Sequence, residues 1–161
     1  MRLNTRHFGE IDIEQDATIT FFGGLPGFFN LTRFVLLYSK DGKAHCARHC
    51  DMSGTFLWLQ SLEDSTVCFM LLNMFLFSQD FAPIIQQDDL DQLGASSPEG
   101  TIIRNIATMG SSLETSTINL LAPIVINLHT RRGAQVLCTN KNYHIRHSFL
   151  LSPLTNTCFM A

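Results

Sequence analysis

The chain has 161 residues, of which 45% are hydrophobic and 16% charged, with a formal net charge of −3. That length holds one domain with a proper core but not comfortably two, and the composition is globular rather than disordered. The acidic balance gives nothing to attract a nucleic-acid backbone, so direct RNA or DNA binding is disfavoured.

The most apolar stretch, residues 69–77 (FMLLNMFLF), falls far short of the ~20 residues that span a bilayer, and Asn73 interrupts it. The opening MRLNTRHFGE lacks the apolar core of a secretory signal, so no membrane contact and a cytoplasmic location are expected. Cys46, Cys50, Cys68, Cys138 and Cys158 are odd in number. In a reducing compartment they are expected as free thiols rather than a disulfide framework.

In chain order, residues 10–13 (EIDI) and 18–22 (TITFF) are the first predicted strands. The turn at 23–29 (GGLPGFF) follows, then a short helical turn at 30–33 with Asn30 as its N-cap. Strands are predicted at 34–38, 56–60 and 67–72, separated by turn residues. A helix at 88–93 (DDLDQL) has acids at its start, where the helix dipole favours them, and Gly94 as its stop. After a strand at 101–107, strands at 124–128 and 134–138 form the clearest hairpin. Pro123 leads into it, and Gly133 supplies the left-handed residue of a bulged turn. Such a series of short strands argues for an all-β, mainly antiparallel barrel or sandwich with one or two short helices.

Several motifs carry chemistry. The turn at 23–29 lacks the Gly-Lys-Ser/Thr ending of a phosphate loop. It either presents Phe28 and Phe29 as anchors for a helical partner or buries both rings in the core, and the structural reading is favoured. His45, Cys46, His49 and Cys50 offer soft ligands for a transition metal. If the stretch is helical, the two histidines share one face and the two cysteines lie about 100° away, so four ligands converge only in an irregular loop. An exposed loop with free thiols is favoured over a metal- or thiol-dependent protein, and no cofactor is expected. His144, Arg146 and His147 place cationic groups near a strand edge, where they cover the edge or meet an acidic partner. Catalysis would need a nucleophile or acid that the sequence does not place there. Asn119 and Asn127 bracket an apolar block and are expected to hydrogen-bond backbone at strand ends.

Ordered blocks run across the chain from Asn4-Thr5-Arg6-His7-Phe8-Gly9-Glu10-Ile11 through Gly24-Leu25-Pro26-Gly27-Phe28 and Trp58-Leu59-Gln60-Ser61-Leu62-Glu63-Asp64. The longest is Asn119-Leu120-Leu121-Ala122-Pro123-Ile124-Val125-Ile126-Asn127, continuing into Thr130-Arg131-Arg132-Gly133-Ala134-Gln135-Val136 and closing at Tyr143-His144-Ile145-Arg146-His147. In this order the blocks resemble the flagellar assembly factor FliW family. The resemblance implies a FliW-like pseudo-barrel over 1–149, with an insertion loop at about 39–55 and a tail at 150–161 expected to be flexible. It implies a non-enzymatic regulator that binds the C-terminal region of flagellin and, in exchange, the RNA-binding regulator CsrA. Antagonism of CsrA would be non-competitive and would relieve repression of flagellin mRNA translation; the alternative is a chaperone that keeps flagellin alone. An acidic surface beside a basic RNA groove lowers its potential over about a Debye length, and Glu63, Asp64, Asp88, Asp89, Asp91 and Glu99 are the candidate acids. Among the candidate partner-binding residues, Phe28 and Phe29 supply apolar contact, Asp88, Asp89 and Asp91 negative charge, and Arg146 and His147 positive charge.

Overall fold

A computed structural model of the chain describes residues 1–47 and 52–149. The chain opens with a hairpin of β1 (Arg2–Thr5) and β2 (Gly9–Asp12), and a short 3-10 turn leads into β3 (Ile19–Phe21). β4 (Arg33–Lys40), β5 (Lys43–Cys46), β6 (Phe56–Ser61) and β7 (Cys68–Leu72) come next. The helix α1 (Gln87–Gln92) precedes β8 (Ile102–Thr108), β9 (Thr117–Ile118), β10 (Ile124–Asn127), β11 (Arg132–Gln135) and β12 (His147–Ser148).

β10, β11, β3, β4, β6, β7 and β8 pair in that order, and β8 pairs back onto β10, so these strands close a barrel. The β11–β3 contact is parallel and the other contacts round the ring are antiparallel. Alternate side chains fill the interior: Ile19 and Phe21, Phe34 and Leu36, Leu57 and Leu59, Leu71, Ile124 and Ile126. The outer faces are covered as well. Val35 and Leu37 on β4 pack under Leu3 and Ile13 of the N-terminal hairpin. Val125 and Leu72 pack under Phe77, Phe81, Leu93 and Phe149. That double burial is why the central strands read as unbroken apolar runs instead of alternating. Gln60 is buried within β6 and locks the hairpin to the barrel. Its side-chain oxygen accepts the Arg6 N–H at 3.1 Å, and its amide nitrogen donates to the carbonyls of Ser61, Ser65 and Val67.

The all-β architecture expected from the strand pattern is present, and α1 ends where Gly94 turns left-handed at φ 69°. Other details differ. No helical turn forms at 30–33, and Asn30 caps nothing. The Leu31 N–H instead donates to Phe28 O at 3.0 Å, and β4 begins two residues later. The stretch expected as an insertion loop starts as a hairpin, β4–β5, turned at Asp41 and Gly42 with φ of 53° and 72°. Asp-Gly is the pair a two-residue turn of that hand favours. The β10–β11 hairpin exists, but its left-handed residue is Arg131 at φ 55°, not Gly133. Gly133 sits in β11 because a Cβ there would lie 2.4 Å from Cζ of Phe21, which fills the barrel interior. β1, β5, β9 and β12 had no counterpart in the predicted strands, and the expected tail at 150–161 lies outside the described residues. Among the described residues, no helix is long and apolar enough to cross a membrane.

Candidate partner-binding surface

The turn between β3 and β4 is shaped by glycines and then breaks the rule that large apolar residues go inside. Gly24 is forced by crowding as well as by its φ of 70°, since a Cβ would lie 2.5 Å from Phe28 O. Leu25, 1% exposed, plugs the turn into the core, and the Phe28 N–H donates back to Leu25 O at 2.7 Å. The phenylalanines on either side point outward. Phe29 is 69% exposed, Phe22 71% and Phe28 37%, so the expectation that the turn buries both of its rings is corrected for Phe28 and Phe29 alike. Phe28 is partly exposed, with its ring edge-on to Phe69 at 5.2 Å.

The other cationic and apolar candidates converge on the same region. Leu25, Pro26 and Phe69 line a cleft of about 410 Å3 together with Leu137 and Ile145, both of which are exposed. Ile145 and Arg146 line an adjoining cleft of about 320 Å3. The structure therefore brings the glycine-rich turn and the 144–147 segment to one surface. That segment is held by its backbone, since His144 O accepts the N–H of Leu120 at 3.1 Å and of Leu121 at 3.4 Å. His147 lies within β12 and is half-buried. Burial, with the neighbouring His144 second, pushes its pKa below the usual imidazole value. An imidazole kept neutral adds little charge, so Arg146 is the stronger cation of the two.

The acids separate into two groups. Glu63 is occupied within the chain. It accepts the backbone N–H of Thr32 at 2.7 Å and of Arg33 at 3.1 Å, the Thr32 hydroxyl, and the Arg33 guanidinium at 3.2 Å. Burial raises its pKa, but the hydrogen bonds from Arg33 and Thr32 outweigh that and hold it below the usual carboxylate range. Asp64 is likewise engaged by the N–H and hydroxyl of Thr66. Asp88 and Asp91 are exposed on α1, and Glu99 is exposed beyond it. α1 is anchored from below: Leu90 and Leu93 are buried, Asn127 Nδ2 donates to the carbonyls of Leu93 and Gly94, and the Thr130 hydroxyl donates to Leu93 O at 2.7 Å. Asn119 plays the matching role for the block it opens, accepting the Ala122 N–H at 2.8 Å. Arg132 joins α1 to the apolar turn. Its guanidinium lies 5.4 Å over the Phe22 ring and donates to Gln92 O at 3.4 Å.

His45 and Cys46 are consecutive in β5, so they point to opposite faces and do not converge. His45 is exposed and stands beside Tyr38. Burial raises the Cys46 pKa, and the Asp16 charge adds to it. The exposed loop expected for this stretch is corrected at its first two residues, which lie in β5 with Cys46 half-buried and form no helix, while His49 and Cys50 lie outside the described residues. Among the described residues no group of His, Cys, Asp and Glu is placed to hold a metal ion. Cys46, Cys68 and Cys138 are free thiols.

The sequence model of one family, described as FliW protein, matches residues 2–150. The chain belongs to the FliW family. The flagellar assembly factor FliW of Alkaliphilus metalliredigens is 31% identical over 150 residues, covering 93% of this chain and 86% of the relative. That of Thermotoga neapolitana is 34% identical over 142 residues, covering 86% and 87%. A crystal structure of the flagellar assembly factor FliW superposes with a TM-score of 0.78 at 30% identity, covering 92% of this chain and 96% of that one.

On this FliW scaffold the sequence reading missed Phe22 and Leu137 as surface residues, having placed both inside strands. β3 ends at Phe21 and β11 at Gln135, so each lies just past a strand end. The alternation signal was present. Phe21 and Phe22 are adjacent, so only one faces the core, and Leu137 stands between Val136 and Cys138, both buried.

Proposed function

We propose that the chain is a cytoplasmic flagellar assembly factor that binds the C-terminal region of flagellin and, when flagellin is scarce, binds CsrA instead. Captured CsrA no longer represses flagellin mRNA, so translation follows flagellin export. The observation that carries this reading is the family match over residues 2–150, nearly the whole chain. The exposed apolar side chains of Phe22, Phe29, Leu137 and Ile145 support a protein-binding role, since apolar rings held at the surface of a satisfied core lower the free energy only when a partner covers them. The protein acts by binding and not as an enzyme.

The antagonism of CsrA is non-competitive. Docking places the exposed carboxylates of α1 within about a Debye length of the RNA-binding groove, where they lower its positive potential without occupying it. Calorimetry of the purified protein against CsrA, with and without flagellin, tests the exchange. Binding with a dissociation constant of about a micromolar or tighter that flagellin abolishes is the expected result. Binding to flagellin alone would reduce the protein to a flagellin chaperone, and binding to neither would overturn the reading.

A further inference from the structure

A cleft of about 660 Å3 opens where β7 ends and β8 begins, at the opposite end of these strands from the Phe69 and Ile106 contacts of the surface above. Phe75, Phe81 and Ile84 supply apolar lining, and Asn73, Arg104 and Glu99 supply the polar groups that matter here. Arg104 is 6% exposed. Its Nη1 donates to Ile103 O at 2.8 Å and its Nη2 to Met52 O, while its Nε has no partner. The ion pairs among the described residues join Arg2 to Glu10 and Asp12, and Arg33 to Glu63. Among the described residues, no carboxylate pairs with Arg104.

Burial brings the Arg104 pKa down to about 10, which leaves it cationic at neutral pH. A buried cation without a counter-charge is costly, and an incoming anion relieves that cost. Asn73, 7% exposed, has an unpartnered Oδ1. Asn73 and Arg104 both line the cleft, each next to the Leu72–Asn105 pair that ends the β7–β8 ladder. A donor-rich guanidinium and an amide acceptor therefore stand together, suited to a carboxylate and a nearby N–H. The apolar surface does not stop at the cleft: Phe75 is 49% exposed, Leu76 54% and Ile84 53%. That extent exceeds what a small carboxylic acid covers, and it suits a polypeptide that continues past its carboxylate.

We propose that this cleft binds a partner's peptide segment, seating an Asp or Glu side chain against the Arg104 guanidinium and apolar neighbours against Phe75, Phe81 and Ile84. This binding mode uses a different face from the Phe22–Phe29 surface, and it holds whichever protein supplies the segment. Exposed Glu99 repels an anion at the rim, so the carboxylate binds only when it reaches the buried guanidinium.

The test uses the full chain, 15N-labelled, with the Arg104 Nε–H resonance assigned through Arg104→Lys. The probes are a doubly blocked peptide carrying one glutamate among leucines and phenylalanines, its glutamine counterpart, and hexanoate. The glutamate peptide is expected to move the Nε–H resonance and to bind at least about tenfold more tightly than the glutamine peptide. Glu99→Gln is expected to tighten it further. The glutamate–glutamine comparison needs no variant, so a misfolded Arg104→Lys does not spoil it. Equal affinity for the two peptides, or glutamate-peptide binding that leaves Nε–H unmoved, overturns the proposal. Movement with hexanoate but with neither peptide confines the site to small acids and overturns the peptide assignment. Recovery of the glutamine peptide's affinity by a free C-terminus reassigns the site to chain ends and overturns it too. No response to any of the probes does the same.

Discussion

Phe29→Ala separates surface from core by two numbers that point in opposite directions. The ring is 69% exposed, so only about a third of it gains from folding. Full burial of a phenylalanine is worth about 1.5–3 kcal/mol, so the truncation should cost about 0.5–1 kcal/mol of stability. Phe34, 0% exposed and at the centre of the barrel, is the contrast: truncating it should cost about 3–5 kcal/mol. Binding reverses the order. If a partner covers the exposed two-thirds of Phe29, transfer alone is worth about 1–2 kcal/mol, and a well-packed anchor reaches 2 kcal/mol or more. Affinity should then fall by about 5- to 30-fold. Urea denaturation reads the first quantity, and calorimetry against CsrA and flagellin reads the second. A stability loss above about 2 kcal/mol would mean the ring belongs to the core. Unchanged affinity for both partners would remove this turn from the interface.

Three further outcomes are expected. Gly133→Ala puts a Cβ 2.4 Å from Cζ of Phe21 and should destabilise by about 1–3 kcal/mol, with Phe21→Leu restoring part of the loss in a double-mutant cycle. The Glu63 carboxyl titrates below its ordinary value when folded, so its contribution is present above that value and is lost as pH falls through the folded pKa. Denaturation measured from pH 6 down to 3 should therefore show wild type losing more stability than Glu63→Gln, and parallel losses would deny Glu63 its structural role. Reversing Asp88, Asp89 and Asp91 to lysine should cost α1 about 1–2 kcal/mol, because Asp88 and Asp89 sit in its first turn, where the helix dipole favours acids, while leaving the barrel strands paired. CsrA antagonism should fall in a salt-dependent way, and antagonism that survives intact refutes the electrostatic account of α1.

What the sequence disclosed followed how far each element's signal extended along the chain. β4, β6, β7, β8 and β10 carry three or more apolar residues each, and all were legible. β9 and β12 are two residues each, too short for any period, and exist because β8 and β9 offer them partners. Gly133 shows the harder limit. Its neighbours suggested a turn glycine, but the constraint comes from Phe21, more than a hundred residues away in sequence. Arg104 was invisible for the same reason. An arginine in TIIRNIA looks like the exposed member of a strand, and only ring closure through β10 turns it inward beside Ile102 and Ile124. The apolar surface was half legible: Phe28 and Phe29 were singled out, yet the glycine and proline that shape the turn favoured reading both rings as core. Which ones stay outside is decided by the bend at Gly24, not by hydrophobicity.

Closure of the barrel also limits how a partner can bind. A partner that adds a strand needs an open edge, and the ring from β10 round to β8 has none. Among the described strands, the edges left are short. β1 and β2, a separate two-stranded sheet, and β5, which begins with Lys43, run four residues each, and β12 runs two. Main-chain hydrogen bonding therefore contributes little to any complex, and affinity must come from side chains presented beyond the strand ends. Phe22, Phe29, Leu137 and Ile145 all sit there, and so do the charges of α1 and Arg146. An interface built from a few side chains on a rigid ring concentrates its energy in those few. The proposed exchange between two partners would then require no change in the barrel: each would need only to claim overlapping anchors, and the one present in excess would prevail by mass action.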